Sequence, residues 1–267
     1  MTGEITFLKL GGSLITVKSS SRLPRRDLID RIAGEIAGWL TDSPGRPLLI
    51  GHGSGSFGHF PAAAHGTRAG VRTPDEWMGF VEVWQAAAEL NHIVIQTFQM
   101  AGIPALSFPP SAAVLADDGR IAAWEVNPIR SALAAGLVPV VYGDVAFDLR
   151  IGGTILSTET LFSHLAGELQ PSRILIAGVE NGVWVDYPQR SELIPVIDPG
   201  TAKDRWSGIG GSPDPDATGG MLAKVEAMLE VVDRIPGMRV RIFGGLEPGS
   251  ISAALSGEAL GTLLARK

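Results

Sequence analysis

A short buried strand that leads directly into a glycine-rich stretch is the feature of this sequence that most constrains its fold. The apolar run at residues 47–50 is short and continuous, which favours a strand buried in a sheet. Residues 51–59 follow it with the sequence G-H-G-S-G-S-F-G-H. Four glycines among these nine residues allow the backbone to bend and to expose consecutive N–H groups, which can surround an oxyanion. We therefore predict an anion-binding loop at the end of a strand, and a helix starting beyond it would add the positive end of its dipole.

His59 closes this stretch and is suited to a phosphate ligand. Its side chain can donate a hydrogen bond to a phosphate oxygen, and its charge is adjustable near neutral pH. A flexible turn with an ordinary histidine is the alternative that the stretch alone leaves open. Two other phosphate motifs are excluded. No Gly-Lys-Ser/Thr follows, as a Walker A loop requires, and the glycine spacing does not match the dinucleotide fingerprint G-x-G-x-x-G.

The composition is that of an acidic globular protein. The 267 residues are 45% hydrophobic and 19% charged, which is enough to bury a core and excludes a disordered chain. A net charge of −6 without a basic tract argues against a nucleic acid partner. The lack of cysteine excludes thiol catalysis, disulfides and cysteine-ligated zinc. We expect no membrane partner and a cytoplasmic location, because the sequence has neither a signal-peptide pattern nor an apolar run of ~18 residues.

A second phosphate-type signal lies near the start of the chain. Residues 5–10 favour a first strand that runs straight into a Gly-Gly-Ser turn. Lys9 lies at the end of this strand, and Lys18 lies a few residues beyond it. In α/β proteins, phosphate binds at strand ends where a lysine lies beside a glycine turn. The alternative interpretation is an ordinary surface lysine beside a turn.

The two signals are predicted to meet at one edge of a sheet. Apolar residues near helical spacing predict a helix over residues 24–40, which returns the chain to the strand at 47–50. The order strand, helix, strand predicts two parallel strands joined by a right-handed crossover. Their carboxyl ends lie at the same edge, which brings Lys9 next to the loop at 51–59.

Alternating helices and strands continue through the rest of the chain. Helices are predicted over residues 74–101, 127–135, 157–169, 218–235 and 248–255, and strands over residues 105–108, 137–142, 174–177, 239–243 and 261–264. Hairpins are predicted at residues 117–120, 150–153 and 181–182, and a loop with at most one helical turn is predicted over residues 61–74. No internal repeat or linker divides the chain. We therefore predict one α/β domain with an open mixed sheet and helices on both faces.

The long helix at 74–101 carries aromatic residues on its first three turns. Pro74 at its start and Gly102 after its end are residues that typically begin and end a helix. Trp77, Phe80 and Trp84 form either ordinary core or an apolar pocket wall for a hydrocarbon tail, and the sequence leaves both interpretations open.

Asp144 and Lys224 are two further candidate site residues. Asp144 follows the strand-ending Gly143, where an aspartate can orient lysines, hold a metal or simply cap a turn. Lys224 falls in the second turn of a predicted helix. Because a cation is unfavourable near a helix N-terminus, this lysine suggests a bound anion, and a solvated helix face is the alternative.

Together these residues favour phosphoryl transfer. Lys9, Lys18, Lys224 and His59 converge with two glycine-rich turns on one predicted sheet edge. Catalysis of phosphoryl transfer consists mainly of positioning the reactants and neutralising spreading charge, which suits this inventory. No carboxylate base is evident beside the loop. This fits an acceptor that is itself a phosphate, because its oxygen is already ionised near neutral pH.

Four motifs in this order resemble the amino acid kinase superfamily, and within it the isopentenyl phosphate kinase family. They are Lys9-Leu10-Gly11-Gly12-Ser13, Phe57-Gly58-His59, Gly143-Asp144, and Thr218-Gly219-Gly220-Met221 followed by Lys224. The resemblance covers essentially the whole chain. It implies an αβα three-layer sandwich with an open, mainly parallel sheet, and a homodimer. It also implies ATP-dependent phosphorylation of isopentenyl phosphate, with Mg²⁺.

The resemblance also implies roles for individual residues. The implied ATP-binding residues are Lys9, Leu10, Gly11, Gly12, Ser13, Gly55, Gly178, Gly219 and Lys224. The implied acceptor-binding residues are Ser54, Gly55, His59 and Gly143, with Phe80, Val83 and Trp84 toward the prenyl tail. The implied catalytic residues are Lys9, Lys18, His59, Asp144 and Lys224, with Asp144 orienting the lysines, and no metal ligand is implied. Residues 1–156 are expected to form an acceptor-binding lobe and residues 157–267 a nucleotide-binding lobe of one domain spanning 1–267.

Two segments depart from the family pattern. The loop commonly reads Gly-Gly-Gly, where this chain has a serine at position 54. The family's Thr-Asp-Val-Asp-Gly is replaced by the sequence A-G-V-E-N-G at residues 177–182, which bears on the adenosine contacts and nucleotide preference. Two other functions remain open: a fosfomycin kinase-like phosphonate kinase, which shares the Gly-Phe-Gly-His type of loop, and a catalytically inactive nucleotide-binding sensor.

Overall fold

The computed structural model describes residues 4–202 and 220–266. Within these ranges the strands are β1 (Thr6–Leu10), β2 (Leu48–His52), β3 (Ala105–Ser107), β4 (Val114–Asp117), β5 (Arg120–Trp124), β6 (Val138–Tyr142), β7 (Asp144–Asp148), β8 (Gly152–Leu156), β9 (Arg173–Gly178), β10 (Val196–Ile197), β11 (Val240–Gly244) and β12 (Thr262–Leu264). The helices are α1 (Gly12–Ile15), α2 (Arg26–Asp42), α3 (Gly55–His65), α4 (Pro74–Met100), α5 (Asn127–Ala134), α6 (Thr158–Leu169), α7 (Pro199–Ala202), α8 (Gly220–Arg234) and α9 (Ser250–Ser256).

An open eight-stranded sheet forms the centre of the molecule. Its order is β10-β12-β11-β9-β1-β2-β6-β3, and every neighbouring pair is parallel except β11 with β12. The first strand, β1, pairs in parallel with both β2 and β9. The predicted crossover from β1 to β2 and the predicted α/β sandwich with a mainly parallel sheet are confirmed.

Two apolar cores pack on the two faces of this sheet. Successive residues of a strand point to opposite faces, so Phe7 belongs to one core and Leu8 to the other. The core that contains Phe7 also contains residues of α5, α6 and α8, whereas the core that contains Leu8 is built with α2, α4 and α9. The three layers of helix, sheet and helix follow from this alternation.

A second sheet of four strands, in the order β5-β4-β7-β8, corrects the prediction of a single sheet. The predicted hairpins at 117–120 and 150–153 are present, but their strands pair with one another and not with the central sheet. Asp148 organises both turns by accepting hydrogen bonds from the backbone N–H groups of Asp118, Gly119, Arg150 and Ile151 at 2.8–3.1 Å. Strand alternation predicts that such segments are strands but does not identify their partners.

Helix α3 occupies much of the sequence that was predicted to be loop. It begins at Gly55, continues through Pro61 and ends at His65, whereas loops were predicted over 51–59 and 61–74. A proline inside a helix costs about 3 kcal/mol. The helix persists because its buried residues, among them Phe57 and Ala62, pack into the core and α3 lies against α4.

The predicted hairpin at residues 181–182 is also wrong. Residues 183–185 form no strand, and one isolated bridge joins Trp184 to Leu193. The indole of Trp184 donates a hydrogen bond to Glu180 at 2.9 Å, which folds the segment back on itself. Among the helices that the structure describes, none is long and apolar enough to cross a membrane.

Candidate active site

The two glycine-rich turns meet at the carboxyl ends of β1 and β2, as predicted. Gly53 donates a backbone hydrogen bond to the carbonyl of Leu10 at 3.0 Å, and Gly11 donates one to the carbonyl of Ala177 at 2.8 Å. A Cβ on Gly12 would lie 2.5 Å from the backbone nitrogen of Gly55. Only glycine allows this approach. The backbone of residues 11–12 and 53–55 therefore forms the floor of the site.

Helix α3 directs its N-terminus into this floor. Ser54 is the N-cap residue, and its side chain makes no capping hydrogen bond. The first helical residue, Gly55, has a φ of +50°, a left-handed conformation that glycine adopts without strain. The free N–H groups of a helix N-terminus and the positive end of its dipole favour a bound anion. His59 lies half-buried in the second turn and completes this end of the site.

A buried ion pair that no sequence pattern indicates lies beside the floor. The ammonium of Lys9 contacts the carboxylate of Glu159, and both side chains are almost completely buried. Burial by itself raises the pKa of Glu159, but the charges of Lys9 and Lys224 and the hydrogen bond from Lys9 bring the pKa below its ordinary value. Glu159 therefore stays ionised. The pair links the end of β1 to the start of α6, where Ser157 caps the helix by accepting from the N–H of Thr160 at 3.1 Å.

Two adjoining cavities open above this floor. The first has a volume of about 410 Å³, and its lining includes Ser54, His59 and Gly143. The second has a volume of about 110 Å³, and its lining includes Gly11 and Gly178. The residues that line both cavities are Lys9, Ser13, Lys18 and Lys224. The three lysines therefore stand at the junction of the cavities, where charge would develop between two bound anions.

Most of the predicted site residues lie around these cavities. Gly12 and Gly55 line the first cavity with the residues already named. Leu10 differs, because its side chain is fully buried in the core and its backbone alone contributes to the site. Gly219 lies outside the described residues.

Asp144 follows Gly143, which lines the first cavity, and backbone N–H groups hold its carboxylate. Its carboxylate accepts hydrogen bonds from the N–H groups of Val145 at 2.9 Å and Ser111 at 3.2 Å. Burial raises the pKa of Asp144 to about 6, against the opposing effect of its hydrogen bonds. The carboxylate in contact with Lys9 belongs to Glu159. The predicted role of Asp144 in orienting the lysines stays a prediction.

The apolar wall of the first cavity is not the predicted one. Phe60, Ala63, Ile155 and Leu156 line the cavity on this side. The predicted residues lie elsewhere, with Phe80 and Val83 buried in a separate cluster and Trp84 43% exposed.

Strand β8 accounts for this difference. A Cβ on Gly153 would lie 2.9 Å from the ring of Phe80, so the backbone of β8 packs directly on that ring. Ile155 of the same strand packs against the cluster of Phe80 and also lines the cavity. Strand β8 therefore lies between Phe80 of helix α4 and the cavity. The sequence does not reveal this arrangement, because it depends on the pairing of distant strands.

His52 is a second buried residue near the site that no sequence pattern indicates. Its ring stacks on that of Tyr142 with 5.4 Å between centroids, and its Nε2 lies 3.2 Å from Oδ1 of Asn91. Complete burial lowers its pKa, so the ring is neutral at pH 7. Its carbonyl accepts hydrogen bonds from Gly143 at 3.0 Å and from the hydroxyl of Thr158 at 2.7 Å. The end of β2 is therefore fixed to the residues on both sides of the first cavity.

Comparisons with known proteins agree with this geometry. Residues 4–244 match the family model described as "Amino acid kinase family". The chain is 34% identical to isopentenyl phosphate kinase of Methanothermobacter thermautotrophicus over 94% of this chain and 95% of the relative. It is 32% identical to isopentenyl phosphate kinase of Methanocaldococcus jannaschii over 97% of both chains. A solved structure described as "X-ray structures of isopentenyl phosphate kinase" has a TM-score of 0.83 and 32% identity, covering 98% of this chain and all of that one. The chain therefore belongs to the amino acid kinase family, and within it to the isopentenyl phosphate kinases.

Proposed function

We propose that this chain transfers the γ-phosphoryl group of ATP to isopentenyl phosphate, giving isopentenyl diphosphate and ADP. The observation that carries the proposal is the pair of adjoining cavities that share Lys9, Lys18 and Lys224. A phosphate oxygen of the acceptor forms a bond to the γ-phosphorus, and the bond from that phosphorus to the bridging oxygen of ADP breaks. The lysines neutralise the negative charge that spreads over the transferred group.

The first cavity is assigned to the acceptor. Ser54 and Gly55 offer backbone N–H groups at the start of α3, and His59 donates a hydrogen bond to the acceptor phosphate. The attacking oxygen is already ionised near neutral pH, so no general base is needed. The apolar side chains of Phe60 and Ile155 supply a wall for a short hydrocarbon tail.

The second cavity is assigned to the nucleotide. Gly11 and Gly178 let the phosphates approach the backbone, and the rings of Trp184 and Tyr187 line the same cavity. In this assignment the chain before residue 157 mainly binds the acceptor and the chain after it mainly binds ATP. The segment 177–182, which differs from the family's Thr-Asp-Val-Asp-Gly, contributes to the lining of this cavity. Because this difference affects the contacts to the nucleotide, the nucleotide preference of the chain should be measured.

Mg²⁺ is the remaining component of the proposed reaction. No group of three or more His, Asp or Glu side chains that could hold a metal is present among the described residues. The described lining of the first cavity contains one carboxylate, Glu159, which already contacts Lys9. We propose that Mg²⁺ enters the site bound to the phosphates of ATP, which usually carry this ion in kinases. A homodimer and a cytoplasmic location belong to the same proposal on the strength of the family resemblance, and light scattering of the purified chain would measure the assembly.

A coupled ADP-release assay tests the proposal against its alternatives. Isopentenyl phosphate, dimethylallyl phosphate and fosfomycin are compared as acceptors at saturating ATP. We expect turnover with isopentenyl phosphate and little with fosfomycin, since the acceptor cavity has an apolar wall. A preference for fosfomycin would favour a phosphonate kinase. Tight ATP binding without ADP release for any acceptor would favour a nucleotide sensor.

Replacing His59 tests the acceptor assignment. His59→Ala removes a hydrogen bond to a charged phosphate, and such bonds are worth roughly 1.5–3 kcal/mol. We expect kcat/KM for isopentenyl phosphate to fall about 10- to 100-fold, while the KM for ATP changes little. His92→Ala is the matched control, because His92 is exposed on α4 and lines neither cavity. Equal kinetics for the two variants would remove the role of His59.

A further inference from the structure

Four arginines surround an open hollow at the edge of the central sheet opposite the two cavities. The hollow has a volume of about 530 Å³, and Arg46, Arg173, Arg239 and Arg241 lie in its lining. Arg173 is the first residue of β9, and Arg239 immediately precedes β11. The amino ends of parallel strands meet at one edge, which places this hollow on the far side of the sheet from the lysines.

Within the described part of the chain, the carboxylates do not form ion pairs with the arginines of the hollow. Among the described residues, none of the four guanidinium groups lies within salt-bridge distance of a carboxylate. The acidic residues Glu4 and Glu258 also line the hollow, and both are exposed. The described lining therefore carries four positive and two negative charges.

Hydrogen bonds hold two of these arginines in place, and each of the two lies near the charge of another arginine of the hollow. Arg173 donates to the hydroxyl of Thr6 at 3.2 Å and to a backbone carbonyl. Arg241 donates to the carbonyl of Leu260 at 2.7 Å. Burial, and after it the charge on Arg46, lowers the pKa of Arg173, and the charge of Glu4 opposes this only in part. Burial followed by the charge on Arg239 lowers the pKa of Arg241. Fixed cations that repel one another are a cost in the free protein that a bound anion removes.

We propose that this hollow binds a small polyanion that contains a chain of two or more phosphate groups. Guanidinium groups match phosphate oxygens with paired hydrogen bonds. Four of them line a hollow of about 530 Å³, which is larger than one phosphate and favours a longer anion. The site is separate from the phosphoryl-transfer cavities, because Thr6 in the hollow and Lys9 in the cavities are three residues apart on β1, about 10 Å along a strand.

Calorimetric titration with inorganic tripolyphosphate at low salt tests the proposal. The test variant is Arg46→Gln/Arg239→Gln, which removes two exposed charges whose side chains make no hydrogen bond within the described structure. The control is Arg26→Gln/Arg120→Gln, which changes net charge equally at exposed positions outside the hollow. Because the nucleotide cavity can also hold a triphosphate, the titration is analysed as two classes of sites, and the class that persists in Lys224→Ala is assigned to the hollow. We expect this class to bind tripolyphosphate at least about tenfold more weakly in the test variant than in wild type, and the control to stay within about twofold.

Two further measurements identify the site and check the fold. In Lys224→Ala, which alters the catalytic cavities, tripolyphosphate binding by the hollow should persist. The unfolding midpoint of the test variant without ligand should equal or exceed that of wild type, because the change relieves repulsion at Arg173 and Arg241. Four outcomes would each overturn the proposal. They are no binding by wild type, equal weakening in both double variants, loss of binding in Lys224→Ala, and equally tight binding of inorganic monophosphate.

Discussion

Lys9 is neutralised by a residue that lies 150 positions away in the chain. The strand position and the adjacent glycines were enough to predict Lys9 as a site residue. Glu159 carries no such signal, because an acidic residue in the first turn of a helix is favourable in any protein. What makes Glu159 part of the site is its burial against Lys9, and burial between distant segments depends on the tertiary fold. His59 and Lys224 were also predicted from local signals, His59 from the glycine-rich stretch that it closes and Lys224 from its position near a helix N-terminus.

Removing the charge of Glu159 should destabilise the protein. In Glu159→Gln the buried ammonium of Lys9 loses this carboxylate, and breaking a buried ion pair from one side costs about 3 kcal/mol or more. The control is Glu168→Gln, since Glu168 forms a half-exposed pair with Arg130 that is worth at most about 1 kcal/mol. Urea unfolding followed by circular dichroism measures both. Similar losses in the two variants would contradict a special role for the buried pair.

The pH dependence of the Glu159 contribution follows from its pKa. Because the folded-state pKa lies below the ordinary 4.5, the stabilisation is present above about pH 4.5 and is lost as the pH falls through the folded value. Asp144 behaves in the opposite way. Its folded pKa of about 6 exceeds the ordinary 3.8, so the folded state holds its proton more tightly and stability falls as the pH rises between these values.

The pH dependence of stability contributed by Asp144 can be tested with Asp144→Asn. Between about pH 5 and pH 7.5, the free energy of unfolding of wild type should fall relative to that of the variant by roughly 1–2 kcal/mol, because only wild type must ionise a buried carboxyl. A cost of the altered hydrogen bonds to Ser111 and Val145 that does not depend on pH shifts the difference equally at every pH. It therefore does not affect the predicted change with pH. Urea unfolding of both proteins across the pH range measures it. A difference that does not change with pH would show that Asp144 has an ordinary pKa.

At the scale of elements, the packing of α1 on α3 decides the shape of the floor. The Cβ of an alanine at position 12 would meet backbone atoms of Gly55 at 2.5–2.6 Å. Backbone at the start of α3 cannot yield without moving Ser54 and His59. Gly12→Ala should therefore misplace the groups that hold the acceptor, and a displacement of about 1 Å can reduce kcat/KM about 100-fold.

Gly38→Ala is the matched control for this change. Nothing lies within 4 Å of a Cβ at position 38, which is exposed on α2. An alanine there should stabilise the helix by about 0.5–1 kcal/mol and leave kcat/KM unchanged. Steady-state kinetics and far-UV circular dichroism separate a displaced floor from a loss of folding. A folded Gly12→Ala protein with wild-type kcat/KM would contradict the role of the glycine contact.

Elements differ in how well the sequence predicts them. The helix α4 begins with a capping box, in which Thr73 accepts from the N–H of Glu76 and Glu76 accepts from that of Thr73, and its bounds were predicted within one residue. Helix α3 was missed because its glycines and Pro61 favour a loop locally. The long-range packing of α3 against α4 outweighs that preference. The second sheet was missed for a related reason, since the pairing of β4 with β7 joins segments that are distant in the chain.

At the scale of the whole molecule, the proposed boundary between acceptor and nucleotide lobes does not divide the central sheet into independent halves. Strand β1 lies before residue 157 and pairs over its full length with β9, which lies after it. The same strand supplies Lys9 to both cavities. Separating the two parts would expose the edge of β1 and remove Glu159 from Lys9.

We therefore expect the chain to unfold in a single cooperative transition. In Trp184→Phe/Trp206→Phe the remaining four of the six tryptophans all precede residue 157, so fluorescence reports the acceptor lobe while far-UV circular dichroism reports the whole chain. Coincident urea transitions by the two probes are the expected result, since β1 is shared and an intermediate with one folded lobe would carry an open sheet edge. A separate fluorescence transition, or a fragment of residues 1–156 that folds alone, would contradict this expectation. Either result would show that the two lobes fold as separate domains.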